Sequence, residues 1–464
     1  MKKWTRRAFI GTGVLASGTL VLGIAIRPGN RASKVAGLIA SAEETVMNIW
    51  LKIAPDNTIT AIIPHAEMGQ GIHTALAMML ADEMEADWEK VKIQEAPAEK
   101  EYANYSVAKG FIAGNAHFPK FLEETIDGVF LTAVKSLNFQ ITGGSASVRF
   151  TGQDAMRIAG ASAKEMLLQA AANSWNVPVE ELIAEKSTIS HPKSNRTASF
   201  GDLAPQAAKV STPSNPKLKT QEEFKLMGTS QPRIDIPAKV TGEAKFGIDV
   251  QVPGMKYATL KAAPVFGSKV KSVDTTNPSN SAGIHKIINL GDAVAVIADG
   301  YWQAKIALDT LPISFESTAE DKLNQEEILA NYRKAMEEDL ANGNLELHHK
   351  RGDTELSLQE AKVLLEAEYQ LPFLAHATME PMNCTAWVQE GKCEIWCGSQ
   401  NPLGAKAAVA EILDLDFDQV IIHNQLLGGG FGRRSETDVI KQAVLIAKEV
   451  DFPVKLIWSR EEDL

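Results

Sequence analysis

Cysteine is scarce in this chain: Cys384, Cys393 and Cys397 are the three in 464 residues. No Cys-x-x-Cys occurs, so zinc or an iron–sulfur cluster on this chain's own thiols is not expected. Cys393 and Cys397 lie four apart in an alternating, strand-like run, ~13 Å along an extended backbone and too far for a disulfide. A surplus of positive charge is also missing. Lys and Arg number 47 against 58 Asp and Glu, a formal net charge of −11. That excludes nucleic acid as an expected partner, since phosphate backbones select basic surfaces. Two common phosphate signatures are absent as well. The one glycine-rich loop with a basic exit ends in Gly-Arg-Arg-Ser, where a P-loop needs Gly-Lys-Ser/Thr. The residue three after Gly430 is Arg433, where a dinucleotide fingerprint needs glycine.

That loop is the most informative stretch present: Leu427-Gly428-Gly429-Gly430-Phe431-Gly432-Arg433-Arg434. The apolar run Val420-Ile421-Ile422 precedes it, and Val439, Ala443, Ile446 and Ala447 follow at helical spacing. The pattern predicts strand, glycine turn, helix. Such a turn lets a ligand approach the backbone, and a helix start offers unpaired N–H groups to an anion. Arg433 and Arg434 add planar guanidinium forks matched to phosphate. The stretch reads as a cradle for an anionic cofactor with Phe431 in its wall.

The amino terminus is distinct. Lys2, Lys3, Arg6 and Arg7 precede an apolar run from Gly11 to Ile26, and Thr5-Arg6-Arg7-Ala8-Phe9-Ile10 is a twin-arginine export pattern. The run is short and glycine-rich for a spanning helix. Residues 1–30 are therefore expected to be a twin-arginine signal peptide directing the chain to the periplasm, with membrane association if the signal is retained.

The remainder, with 45% hydrophobic and 23% charged residues, has the composition of a globular chain and the length of roughly three domains. Val46–Leu51 and Ile59–Ile63 read as strands after a small-residue linker at 27–45. Glu67-Met68-Gly69-Gln70-Gly71 is a second glycine turn, opening a helix with Ile72, Leu76, Met79, Leu80 and Met84 at helical spacing. Thr142 to Ser147 is a third small-residue turn, ahead of a long helix from about Asp154 to Trp175. Ser211 to Lys219 has linker composition. Residues from Gln231 to about Glu316 alternate short strands with one helix, Tyr301 to Leu311. A charged helical connector spans 319–360, and 361–464 is again α/β. His65 and His73 flank the second turn without metal-motif spacing, and structural hydrogen bonding is expected of them. The fold class expected is mixed, α+β and α/β, with several domains.

These motifs together resemble the molybdopterin-binding large subunits of the xanthine dehydrogenase and aldehyde oxidase family, of the isoquinoline 1-oxidoreductase large-chain type. Glu67 to Gly71 is similar to a cofactor-contacting motif, so Gly69, Gln70 and Gly71 would hold the pterin or its pyrophosphate. Gly144, Ser145 and Ser147 fall in a turn that would contact the same cofactor. Gly398-Ser399-Gln400-Asn401-Pro402 is similar to the turn whose glutamine, here Gln400, would donate to an oxo ligand on molybdenum. Gly429, Gly430, Phe431, Gly432 and Arg433 match the metal-proximal loop, with the backbone of Phe431 and Gly432 bordering the metal. Gln400, Phe431 and Gly432 are the catalytic candidates the resemblance implies, and no side chain of this chain is expected to ligate a metal. Pro232-Arg233, Lys239-Val240-Thr241-Gly242, Asp249 and Pro253-Gly254 resemble the opening of a hammerhead α/β domain. His376-Ala377-Thr378-Met379-Glu380-Pro381 resembles the start of the main molybdenum domain.

The implied organisation is 46–200 an amino-terminal molybdopterin-binding segment, 228–318 the hammerhead and 361–464 an incomplete molybdopterin-binding domain. The implied enzyme is an exported molybdenum hydroxylase of aldehydes or N-heteroaromatics. It would use molybdenum-molybdopterin, as the cytosine dinucleotide, with water as oxygen source. Implied partners are a small [2Fe-2S] subunit and a cytochrome c. The family's catalytic glutamate lies in Gly-x-Gly-Glu, a motif without counterpart here. The expectation is thus a C-terminally truncated chain, a catalytically incomplete fragment, or half of a split enzyme.

Overall fold

The computed structural model describes residues 31–464 apart from 115–118, 214, 276–281, 319–322, 345, 347–348 and 350. The expected signal peptide, residues 1–30, lies outside the described residues. Among the described residues no helix is long and apolar enough to cross a membrane.

Two βαβ units organise the molecule. The first is built of β1 (Thr45–Asn48), β2 (Leu51–Ile53), β3 (Ile59–Ile63) and β4 (Val91–Glu95) in that sheet order. Between β3 and β4 runs α1 (Ile72–Met84). β3 and β4 pair in parallel, as a helical crossover requires. β3, apolar but for Thr60, is buried at every position, and the spacing of Leu76, Leu80 and Met84 places them on the core face of α1. The run 46–51 does not form one strand. Asn48 takes its side-chain oxygen to the Trp50 N–H, 2.9 Å, and the chain reverses into a β1–β2 hairpin. The residues 27–45 expected as a linker include a helix, Arg31–Ile39, whose Val35 and Ile39 enter the core. The long helix is α2 (Arg157–Trp175), extended at its start by a π-helical stretch from Ser147 and a first turn at Gly144–Ala146. One core runs from Val35 to Ala207.

Ser211–Lys219, a linker by composition, leads into a clamped segment. The buried Asp82 carboxylate, at the end of α1, accepts the N–H groups of Lys225, Leu226 and Met227 and the Lys219 ammonium at 2.7 Å. A buried charge needs such partners, and composition does not reveal them.

The second unit belongs to a seven-stranded sheet. It contains β8 (Lys256–Ala262), β10 (Ile284–Asn289), β11 (Ala293–Ala298), β13 (Asn383–Gln389), β14 (Lys392–Cys397), β15 (Val420–Asn424) and β16 (Val454–Ile457), ordered β10-β11-β8-β16-β13-β14-β15. The numbers β5–β7 belong to a small sheet at Ile183–Ser199, and β9 (Val270–Val273) pairs with β12 (Ile313–Phe315). The 228–318 segment thus does not stand apart from 361–464: β16 pairs in parallel with β8, Val454 opposite Lys256. A division implied by the resemblance runs through one continuous sheet, because register depends on pairing and not on spacing along the chain. Strand β14 buries Cys393, Ile395 and Cys397 alternately, as expected, and all three cysteines are free thiols. Helices α3 (Pro402–Leu413) and α4 (Asp438–Ala447) cover this part of the sheet, and β14-α3-β15 is the second βαβ unit, with β14 and β15 parallel.

Candidate cofactor-binding crevice

The two units meet carboxyl end to carboxyl end. Asn424, ending β15, donates its amide to the Ala96 carbonyl just past β4, 3.0 Å. The turn after β3 holds Glu67 to Gly71, and the turn after β14 holds Gly398 to Asn401. Ligands of open α/β sheets sit in such a crevice, because strand ends and helix starts converge there.

Gln400 is the joint. It is 3% exposed. Its Nε2 donates to the Thr142 carbonyl at 3.0 Å, and its Oε1 accepts from the Gly432 N–H at 3.1 Å. Its backbone accepts from Thr142 N, 2.7 Å, and donates to the Arg434 carbonyl, 2.9 Å. The Thr142 hydroxyl in turn accepts from Ala66 N, 2.9 Å. At Gly430 an added Cβ would lie 2.6 Å from both Gln400 Oε1 and Met68 Sδ. Glycine is therefore needed at 430 for close packing, and four turns distant in sequence do come together: 66–71, 142–147, 398–401 and 428–434.

Glu67, fully buried, organises its own turn. Its carboxylate accepts Gly69 N at 2.9 Å, Gly71 N at 3.0 Å and His73 N at 3.2 Å, and pairs with Arg233 at 3.1 Å. Gln70 folds back, accepting Met68 N at 2.7 Å and donating to Ala66 O at 3.0 Å. The amides of Gly69 and Gly71 are thus engaged within the turn. The histidines are structural hydrogen-bonding groups: His65 Nε2 meets Thr151 Oγ1 at 2.8 Å, and His73 Nε2 meets the His65 carbonyl at 2.8 Å. Burial, with His73 nearby, pushes His65 down to about 3, so its ring is neutral.

In the third turn the Ser147 hydroxyl accepts Gly143 N at 3.0 Å, which closes the turn. Gly144 and Ser145 are exposed at the start of a helical run reaching Trp175. The first N–H groups of that run have no partner within the helix.

The two arginines do not face a phosphate. Arg433 makes a fork to Asp438, 3.0 and 2.7 Å, and lies over the Trp458 ring, 5.2 Å from its centroid. Arg434 is 2% exposed, donates to Gly429 O at 2.9 Å and Glu380 O at 2.7 Å, and pairs with the Glu380 carboxylate at 3.1 Å. Charge at a glycine turn read as anion recognition, yet the Asp438 carboxylate takes the Arg433 fork, and backbone carbonyls with the Glu380 carboxylate take up Arg434. The predicted strand–turn–helix order holds, but α4 begins at Asp438, well beyond Gly432, so its N-terminus is not the glycine turn. Phe431 keeps φ at 55° and is 72% exposed, an unusual state for a bulky residue.

Sequence reasoning quoted Glu380 within a motif without giving it a role, and it passed over Glu95. Glu380 accepts Gly428 N at 2.8 Å and Ile248 N at 2.9 Å, tying three segments together. Glu95, at the end of β4, is partly buried, and burial together with Glu67 pushes it up to about 8. Its position at a strand end beside a glycine turn was the available signal.

Models of the molybdopterin cofactor-binding domain match residues 9–110 and 336–464, one on each side of this crevice. The beta chain of isoquinoline 1-oxidoreductase from Brevundimonas diminuta is 30% identical over 463 aligned residues, covering 90% of this chain and 54% of that protein. The chain is thus similar to molybdopterin-binding large subunits of molybdenum oxidoreductases. It is also 31% identical to a membrane-bound aldehyde dehydrogenase of Gluconacetobacter polyoxogenes whose name specifies pyrroloquinoline quinone, over 90% of this chain and 50% of that one. A nicotinate dehydrogenase subunit from Pseudomonas putida is 25% identical over 92% of this chain and 33% of its own length. The chain spans about half the length of the first two relatives.

Proposed function

We propose that this chain supplies the cofactor cradle of an exported molybdenum hydroxylase that oxidises aldehydes or N-heteroaromatic compounds. The observation that carries this is the convergence of four distant turns on Gln400 and Gly430 between the ends of two βαβ units. The residues fit a phosphorylated pterin in one respect. A side chain added at Gly69, Gly144 or Gly432 would meet nothing within 4 Å, so backbone there borders open space. Gly144 and Ser145 would hold a phosphate through helix-start amides and the Ser145 hydroxyl. The backbone at Gly429–Gly432 would flank the pterin side. When bound, the metal-pterin supplies two-electron oxidation with water as the oxygen source, and we take its form to be the cytosine dinucleotide.

This chain's residues position and donate. Gln400 has one amide hydrogen beyond the one given to Thr142, and Gly432 fixes the amide's orientation by donating to its oxygen. A fixed amide donor stabilises growing negative charge without releasing a proton. The catalytic carboxylate is assigned to the part of the assembly outside this chain's match, and electrons are assigned to a small [2Fe-2S] subunit and a cytochrome c. Export by the twin-arginine route rests on residues 5–10. Elemental analysis of the assembled protein tests the reading. About one molybdenum per copy is expected, and a metal-free assembly with quinone absorbance would favour the cofactor named for the Gluconacetobacter relative.

A further inference from the structure

The connector between the strands β12 and β13 contains a helix and an extended ribbon with no core. Helix Gln325–Asn342 buries none of its residues, although Tyr332, Met336 and Leu340 recur on one side and are 57–59% exposed. In the ribbon 363–373, residues 365–371 alternate strictly. Leu365, Ala367, Tyr369 and Leu371 share one face, with Val363 and Phe373 in phase beyond them, opposite Glu366, Glu368 and Gln370. Period-two alternation is the mark of a strand with one buried face. Here that face is in water, with Leu365 89%, Tyr369 88% and Leu371 83% exposed. The ribbon forms no strand, and among the described residues its one backbone hydrogen bond is from Phe373 N to the Gln325 side chain, 3.1 Å. Arg333 and Glu368, 2.7 Å apart, hold helix and ribbon side by side. An apolar layer of this extent open to water marks an interaction face.

We propose that residues 363–373 are a strand awaiting its sheet, and that its occupant is the polypeptide corresponding to the portion of the relatives that this chain does not span. Two observations select that occupant. The ribbon runs directly into Thr378 to Glu380, which clasp the glycine turn through Gly428, so whatever covers the ribbon also borders the crevice. Met379 and Phe431, 89% and 72% exposed, mark that junction. The matched relatives carry about as much polypeptide again, since this chain spans 54% and 50% of them. Docking occurs by strand addition, with main-chain hydrogen bonds for affinity and alternate side chains for specificity. The inference rests on the proposed function only for the identity of the partner, as the rest of the same enzyme.

The experiment places a photo-crosslinking p-benzoylphenylalanine at Tyr369 or, as a control, at Gln370, in cells that produce the assembled protein. Both positions are exposed, so neither change disturbs a core. The Tyr369 probe is expected to attach to peptides matching the relatives' remaining portion, at least tenfold more than the Gln370 probe. In the assembly, amide hydrogen exchange across 364–372 slows at least tenfold. Attachment to a second copy of this chain, to lipid, or to nothing overturns the proposal, as do amides that stay fast. Molybdenum content is measured on the same sample. Crosslinking without molybdenum removes the proposed function and keeps the docking, whereas molybdenum without crosslinking removes the docking alone.

Discussion

Two glycine turns border the crevice, and they are closed by different means. The Glu67–Gly71 turn has its N–H groups gathered from within: one carboxylate, two to six residues away, accepts those of Gly69, Gly71 and His73, while Arg233 braces Glu67 and the Gly69 carbonyl from a distance. The Gly428–Gly432 turn is closed from outside. Its N–H groups at Gly428 and Gly432 reach Glu380 and Gln400, 48 and 32 residues back, and Gln400 reaches on to Thr142. A turn closed locally can form before its surroundings. One closed by distant partners forms only when the two units dock, so its shape reports on the assembly of the whole site.

The largest break of this contrast is expected at Arg434. Arg434→Met leaves the buried Glu380 carboxylate without its cation, a loss of about 3–5 kcal/mol by denaturant unfolding, with the Gly428 turn disordered. Glu67→Gln should cost about 1.5–3 kcal/mol, because it weakens charge-assisted bonds to three N–H groups. Its effect should stay local: hydrogen exchange should quicken at Gly69 to His73 and remain unchanged at Gly428 to Gly432. If both turns loosen equally, the distinction fails.

Acid acts between the two turns. His65 is neutral in the fold, with a value of about 3 against 6.5 for a free ring. Below 6.5 the unfolded chain binds the proton and the folded chain does not, so stability falls with pH down to about 3. The slope from this group is ~1.4 kcal/mol per pH unit. A His65→Gln variant should show a shallower slope in urea titrations between about pH 6 and pH 4. The smallest effect is expected at Gly432, where φ is 97° and the surroundings are open. Gly432→Ala should cost about 1 kcal/mol of backbone strain, visible as a small fall in Tm, without disturbing any packed neighbour.

Much of the fold was legible from periodicity. β3 was read at its observed ends, and α1 opened at Ile72, because β-branched apolar runs and helical spacing are local signals. The β1–β2 reversal was not, since it depends on one Asn48 side chain, and neither was the place of β16 between β8 and β13. At the site, Gln400 and the glycines stood out by motif. The fates of Arg433 and Arg434 did not, because a guanidinium fork fits Asp438 or Glu380 as well as it fits phosphate.

The sequence by itself determined where the turns lie and which helices and strands they join, since backbone freedom and apolar spacing are properties of neighbours along the chain. Only the tertiary structure decided that Met68, Thr142, Gln400 and Gly430 share one crevice, and which charges are already satisfied there. Those facts depend on docking two sheets, and a docking geometry is set by long-range packing that no local pattern encodes.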